Sequence, residues 1–129
     1  MSTSRRGVRF LVVFAIAAGT TWLACGTSPD TGDSGVCPAD QPKTCPSPAP
    51  SYANDIAPLI QQYCAVSSCH APGGSSADQP LSTYADLYAR RVDAQNQLYQ
   101  CKMPYAPPDP TLDERVKLLG WFVCGAPNN

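Results

Sequence analysis

Four prolines fall within seven positions in the stretch CKMPYAPPDP, residues 101–110. Each one fixes φ and removes a backbone donor, so the stretch cannot be helical and reads as an extended, rigid loop. The 129-residue chain carries 14 prolines, which implies long irregular segments rather than a dense lattice of helices or strands. At this length one domain is expected. The formal charge is −1, from 9 basic and 10 acidic residues, so no nucleic-acid partner and no basic membrane-surface patch is expected. Seven cysteines in so short a chain point to an oxidising compartment or a bound metal cofactor.

The N-terminus agrees with export. Arg5, Arg6 and Arg9 precede an apolar run over residues 10–18, with no acid among them. That run is too short for a membrane-spanning helix, which takes about 20 apolar residues, but suits the core of a signal peptide. The following TTWLACG resembles a bacterial lipobox, with Leu23 and Ala24 ahead of Cys25. The expectation is a lipoprotein signal peptide over residues 1–24 and lipidation of Cys25. An ordinary secretory signal, with Cys25 a spare thiol, is the alternative. Residues 25–51 are rich in Gly, Ser, Thr, Pro and Asp, with Val36 the single large aliphatic residue after Cys25. Such a stretch buries too little apolar surface to offset the entropy of ordering it, so a disordered tether is expected. Within it, Cys37 and Cys45 are expected to form a local disulfide.

The folded unit is expected over residues 52–129. Ile56, Leu59, Ile60 and Tyr63 follow the spacing of one helical face, with Asn54 or Asp55 as cap and Pro58 in the first turn. That helix ends at Cys64. A Gly/Ser-rich turn follows, then a short helix capped by Ser82 or Thr83, with Leu81, Tyr84 and Leu87 or Tyr88 along one side. Thr111 and Glu114 have capping-box spacing behind Pro110. Val116, Leu119, Phe122 and Val123 then repeat at helical intervals, and Gly125 and Pro127 stop the helix. The fold class expected is all-α, about three helices joined by long Pro/Gly-rich loops.

The chemistry lies in YCAVSSCHAPGG, residues 63–74, where the chain's one histidine, His70, follows Cys64 and Cys69 in a C-x4-C-H arrangement. Two thiols followed at once by histidine have a specific use: the thiols add across the two vinyl groups of a haem, and the imidazole ligates its iron. The usual spacing between the cysteines is two residues. Four residues serve the same purpose if the extra pair bulges outward, and Ala65, Val66, Ser67 and Ser68 are small or β-branched enough to do so. Met103, the one methionine besides Met1, sits in KMPYAPP ahead of the last helix.

A helix, a Cys-Cys-His segment, a loop with Met-Pro and a closing helix, in that order, resemble a small class I c-type cytochrome domain of the kind found in bacterial exported lipoproteins. The resemblance covers residues 52–129. It implies one covalent haem c held by Cys64 and Cys69, with His70 and Met103 as axial iron ligands. It also implies that the first and last helices pack, bringing Ile56, Leu59, Ile60 and Tyr63 to Leu119, Phe122 and Val123. The function implied is a membrane-anchored one-electron carrier and not an enzyme, lipid-anchored at the outer membrane or otherwise periplasmic, exchanging electrons with a redox protein donor and acceptor. Tyr84, Tyr88, Leu98, Tyr99 and Leu118 are candidate pocket residues, and Lys102 could orient a redox partner. A Cys101–Cys124 bridge would anchor the Met103 loop to the closing helix.

Alternatives stay open at this stage. Cys64 and Cys69 could pair with each other and leave His70 an exposed loop residue. The chain would then be a haem-free, disulfide-stapled lipoprotein acting as a binding or structural module. A zinc site would have to borrow a fourth ligand from Cys101 or Cys124. No Gly-rich phosphate loop or HExxH motif is present, and one histidine leaves little room for a Ser-His-Asp triad.

Overall fold

The computed structural model describes residues 37–129; the expected signal peptide, Cys25 and the first part of the tether lie outside the described residues. The described residues are helical, with no strand among them. A wide helical turn, Tyr52–Ile56, leads into α1 (Ala57–Tyr63). Then come α2 (Tyr84–Ala89), α3 (Arg91–Tyr99) and α4 (Leu112–Val123). None is long and apolar enough to cross a membrane.

The first helical segment starts earlier than the sequence spacing suggests. Ser51 is its cap: its Oγ accepts from the Asn54 amide at 3.4 Å, and its own N–H donates to Asp55 Oδ2 at 2.9 Å. Pro58 falls in the first turn of α1, as expected, but with a helical turn ahead of it its ring would crowd the carbonyl four residues back. The turn ahead of it is correspondingly wide, with Ile56 N–H reaching the Ser51 carbonyl at 3.2 Å.

The closing helix forms as its caps require. Thr111 Oγ1 accepts from the Glu114 amide at 3.3 Å, and the Thr111 amide donates to Glu114 Oε2 at 2.8 Å, a complete capping box. At the other end Gly125 has φ +86°, and the amides of Gly125 and Ala126 bond back to the carbonyls of Phe122 and Trp121, each at 3.0 Å. That is the left-handed stop that glycine allows without strain. The buried face carries Leu118, Leu119, Trp121 and Phe122, together with Arg115. Val116, expected inside, is 40% exposed, and Val123 is only partly buried. The stripe is rotated because Arg115, not Val116, occupies the inner position of its turn.

Ile56, Leu59, Ile60 and Tyr63 join Leu118, Leu119 and Phe122 in one buried cluster with Leu81, Leu87 and Leu98. Tyr63 Oη also donates to Glu114 Oε2 at 3.0 Å, so the carboxylate that caps α4 ties α1 to it. On the far side Trp121 sits against Tyr52, with centroids 5.7 Å apart, and Tyr52 meets Tyr84 edge-on at 5.0 Å. The chain's last residues close over this cluster. Ala53 N–H and Ser51 Oγ both donate to the Asn129 carbonyl at 2.9 Å, Trp121 Nε1 to Pro127 O at 3.0 Å, and Tyr84 Oη to Ala126 O at 3.0 Å.

The disulfides differ from the pairs expected. Cys37 bonds Cys101 and Cys45 bonds Cys124, in place of Cys37–Cys45 and Cys101–Cys124. The cause is the path of residues 37–51. Pro50 is buried, and Pro46 lies so close to α4 that a Cβ on Gly120 would stand 3.1 Å from its Cγ. This path brings Cys45 to the C-cap of α4, where Cys124 sits, and Cys37 to the end of α3. The described part of the expected tether is thus fastened to the helical body at two points.

Candidate functional site

α1 ends at Cys64, and the segment after it folds into a tight, internally bonded loop. The His70 amide reaches back to the Cys64 carbonyl at 3.2 Å, and the amides of Cys69 and Ala71 bond the Val66 carbonyl at 2.9 and 3.3 Å. Ala65 is buried while Ser67 and Ser68 are exposed, and Ser68 also borders the cavity described below. Gly74 then passes the Cys69 backbone so closely that any Cβ would overlap the Cys69 carbonyl. Only glycine fits there.

The loop fixes the imidazole. His70 Nδ1 is 2.7 Å from the carbonyl oxygen of Gln79, and the Leu81 amide bonds the His70 carbonyl at 3.2 Å. A carbonyl oxygen only accepts, so Nδ1 carries a proton, and in the neutral ring the lone pair lies on Nε2. A backbone partner on one ring nitrogen is what holds a histidine in the tautomer that can ligate metal.

Met103 comes from the other side of the sequence. Just past the end of α3 Cys101 takes φ +52°, and the amides of Cys101 and Lys102 bond the carbonyls of Leu98 and Gln97 at 3.2 and 2.9 Å. The Met103 amide also reaches Gln97 O at 3.3 Å, so the loop leaves α3 in a fixed direction. Arg115 of α4 is fully buried, and its Nη1 donates to the carbonyls of Leu98 and Met103, both at 3.0 Å.

Cys64, Cys69, His70 and Met103 all line one cavity of about 560 Å³, with mostly apolar walls that include Ile60, Leu81, Leu87, Leu98, Leu118 and Phe122. Its size is in the range of small-molecule and cofactor sites. Of the expected pocket residues, Leu98 and Leu118 line it. Tyr84 turns instead to Tyr52 and Trp121, Tyr88 is half-exposed beneath the Arg91 guanidinium, and Tyr99 packs on the core without lining the cavity.

The chain matches no family model, no curated protein and no solved structure. Among the described residues no group of three or more His, Cys, Asp and Glu side chains is arranged to hold a bare metal ion. A haem asks less of the protein: two thiols, one or two axial donors and an apolar slot; Cys64, Cys69, His70 and Met103 supply those residue types around this cavity, and Cys69 would have to be reduced to serve.

The sulfurs are in different states. Cys64 and Cys69 are not bonded to each other. Cys64 is a free thiol whose pKa burial pushes up to about 12, against the opposing pull of the Arg115 charge. It is therefore a neutral sulfur in an apolar wall. Cys69 is disulfide-bonded, and thus not a thiol. Burial also pulls the Arg115 pKa down, while nearby Asp109 pushes it up. Arg115 Nε and Asp109 Oδ1 are buried without hydrogen-bond partners. Neither Arg115 nor Gly74 was marked as functional by the sequence. The first hid as a charged residue on an amphipathic helix, the second in a run of small turn residues.

Proposed function

We propose that this protein is a monohaem c-type cytochrome that carries single electrons, exported and held at a membrane through a lipid on Cys25. What supports the reading is one observation: the two cysteines, the histidine and the methionine that a c-type site needs, drawn from segments far apart in sequence, line a single cavity of cofactor size. The bound haem would supply the Fe(II)/Fe(III) couple. The chain's own residues supply the rest. Cys64, and Cys69 once a dithiol reductant has opened its disulfide, would hold the haem through thioethers, each S–H adding across one vinyl group with no net oxidation. His70 offers Nε2 because Gln79 holds Nδ1, and Met103 offers a thioether, a ligand that raises the potential. The apolar walls exclude water and favour the less charged state of the iron. The disulfides are compatible with an exported protein. Donor and acceptor are redox proteins.

The disulfide at Cys69 favours a second reading, since a thioether and a disulfide exclude each other at one sulfur. In that reading the chain is a haem-free, disulfide-stapled exported protein that binds a partner through the cavity. Expression alongside cytochrome c maturation factors separates the two. The cytochrome gives a protein whose mass includes one haem, with a sharp α-band on reduction that disappears in the Cys64→Ala/Cys69→Ala variant. A colourless polypeptide without added mass, its Cys69 still in a disulfide, rejects the cytochrome.

A further inference from the structure

Arg115 is a fully buried cation whose hydrogen bonds go to backbone carbonyls on either side of one turn, Leu98 at the end of α3 and Met103 in the loop. Burying a guanidinium costs several kcal/mol unless the site returns good hydrogen bonds. Here Nη1 bridges two acceptors at 3.0 Å while Nε has none, so the side chain is not optimally satisfied by its surroundings. A core position one turn before Leu118 and Leu119 would be filled more simply by leucine or methionine. What the arginine does, and an apolar side chain cannot, is to fix the distance from α4 to the Met103 backbone.

From this we infer that Arg115 is a positioning residue for Met103: it acts through the Leu98 and Met103 carbonyls to hold the thioether in the cavity against competing ligands. The role rests on the cytochrome reading above. The Met103 loop is moored at its start by the left-handed turn at Cys101 and by the Cys37–Cys101 disulfide, and both of these lie before Met103. After Met103 the next residues, Pro104 to Pro108, include three prolines and so offer few amides to bond elsewhere. The Met103 amide bonds back to Gln97 O, toward α3, and the Arg115 bond to the Met103 carbonyl is the contact that ties the residue to α4. Removing it leaves the sulfur attached to a segment fixed at one side only.

The test uses the haem-loaded full chain and reads ligation, not electron transfer. Imidazole competes with a thioether for ferric iron, and loss of the methionine-to-iron charge-transfer band follows the exchange. Arg115→Met keeps the volume and removes the donors; Arg115→Lys keeps a charge and donors on a flexible stem. The expected result for Arg115→Met is unchanged covalent haem, a weakened band, and imidazole binding about tenfold tighter, or about 1.4 kcal/mol. Arg115→Lys falls between it and the wild type. In the haem-free chain, the Lys102 and Met103 amides exchange faster in Arg115→Met while those of α1 do not. A purely structural role would lower the unfolding midpoint and leave imidazole affinity unchanged, and that result overturns the inference. Should Arg115→Met not fold, an Arg115→Lys affinity equal to that of the wild type, with equal Lys102 and Met103 exchange, overturns it too. The Met103→Leu variant keeps the outcomes apart. If wild type carries haem but its band and imidazole affinity match Met103→Leu, the ligand assignment fails; if wild type carries no haem, the cytochrome reading fails.

Discussion

His70 donates from Nδ1 to the Gln79 carbonyl at 2.7 Å, across the turn that contains Gly73 and Gly74. A side-chain change at Gln79 leaves that carbonyl in place, so the contact is proof against most substitutions at its acceptor. The ring itself is the sensitive point. In haem-loaded protein, His70→Ala is expected to lose the low-spin spectrum, and added imidazole to restore it. A low-spin spectrum that persists in His70→Ala without imidazole would exclude this residue as the ligand.

Gly74 sets the backbone of the same loop. Gly74→Ala places a methyl group onto the Cys69 carbonyl, and relief requires the Cys69–His70 backbone to move. The expected cost is about 1–3 kcal/mol, as for other overpacked sites. It is read as a lower denaturant midpoint together with reduced haem incorporation. Gly73→Ala is the control: φ is +83°, so it is strained, but no atom stands in the way of its methyl. Equal haem incorporation in wild type and Gly74→Ala would remove the argument that Gly74 shapes the attachment loop.

Cys64 makes stability depend on alkaline pH. Its folded pKa of about 12 lies above the ordinary 9.0, so the folded state keeps a proton that the unfolded chain releases. The contribution is fully present below pH 9.0 and is lost as pH rises from there toward 12. In the haem-free chain, alkylation of Cys64 is expected to stay slow at pH 9 and to speed up sharply in denaturant. Cys64→Ala is expected to flatten the fall in stability over that range. Rapid alkylation of the native chain at pH 8 would mean that the thiol is not buried as described.

The disulfide pairing is directly testable. Proteolysis without reduction is expected to yield one linked peptide pair containing Cys37 and Cys101 and another containing Cys45 and Cys124. A Cys101–Cys124 pair would return the pairing to the one suggested by sequence proximity. Sequence separations of 64 and 79 residues correspond to roughly 4 kcal/mol for each closure in the chain-entropy treatment. Cys45→Ala/Cys124→Ala is expected to lose roughly 2–4 kcal/mol by urea denaturation.

The parts of this fold that the sequence reveals are those with local causes. α4 is legible because Thr111, Glu114, Pro110 and Gly125 mark both of its ends within a few residues. α1 is legible through Ile56, Leu59, Ile60 and Tyr63, although its start is displaced by the way the chain accommodates Pro58. α3 carries no such signal. RVDAQNQLY has one buried residue, Leu98, and leaves Val92 62% exposed, so its helix is set by what packs on it rather than by a stripe of its own. The inward turn of Arg115 rotated the expected face of α4, because a periodicity reading places a cation outside by default. For the site, the order of Cys64, Cys69, His70 and Met103 was enough to suggest that they meet. Their gathering around one cavity follows from the helices. The disulfides were beyond reach, since even the four cysteines of these two bonds allow three pairings and only the return path of residues 37–51 over Gly120 selects one.

That return path has a consequence for biosynthesis. A polypeptide is made from its amino end, so Cys37 and Cys45 become available while their proper mates, near the far end, do not yet exist. Cys64 and Cys69 arrive earlier and stand as nearer, incorrect mates throughout that interval. Any early oxidant would trap these accidental unions. Maturation of this chain therefore calls either for delayed oxidation, until Cys124 has emerged, or for a catalyst that shuffles premature bonds.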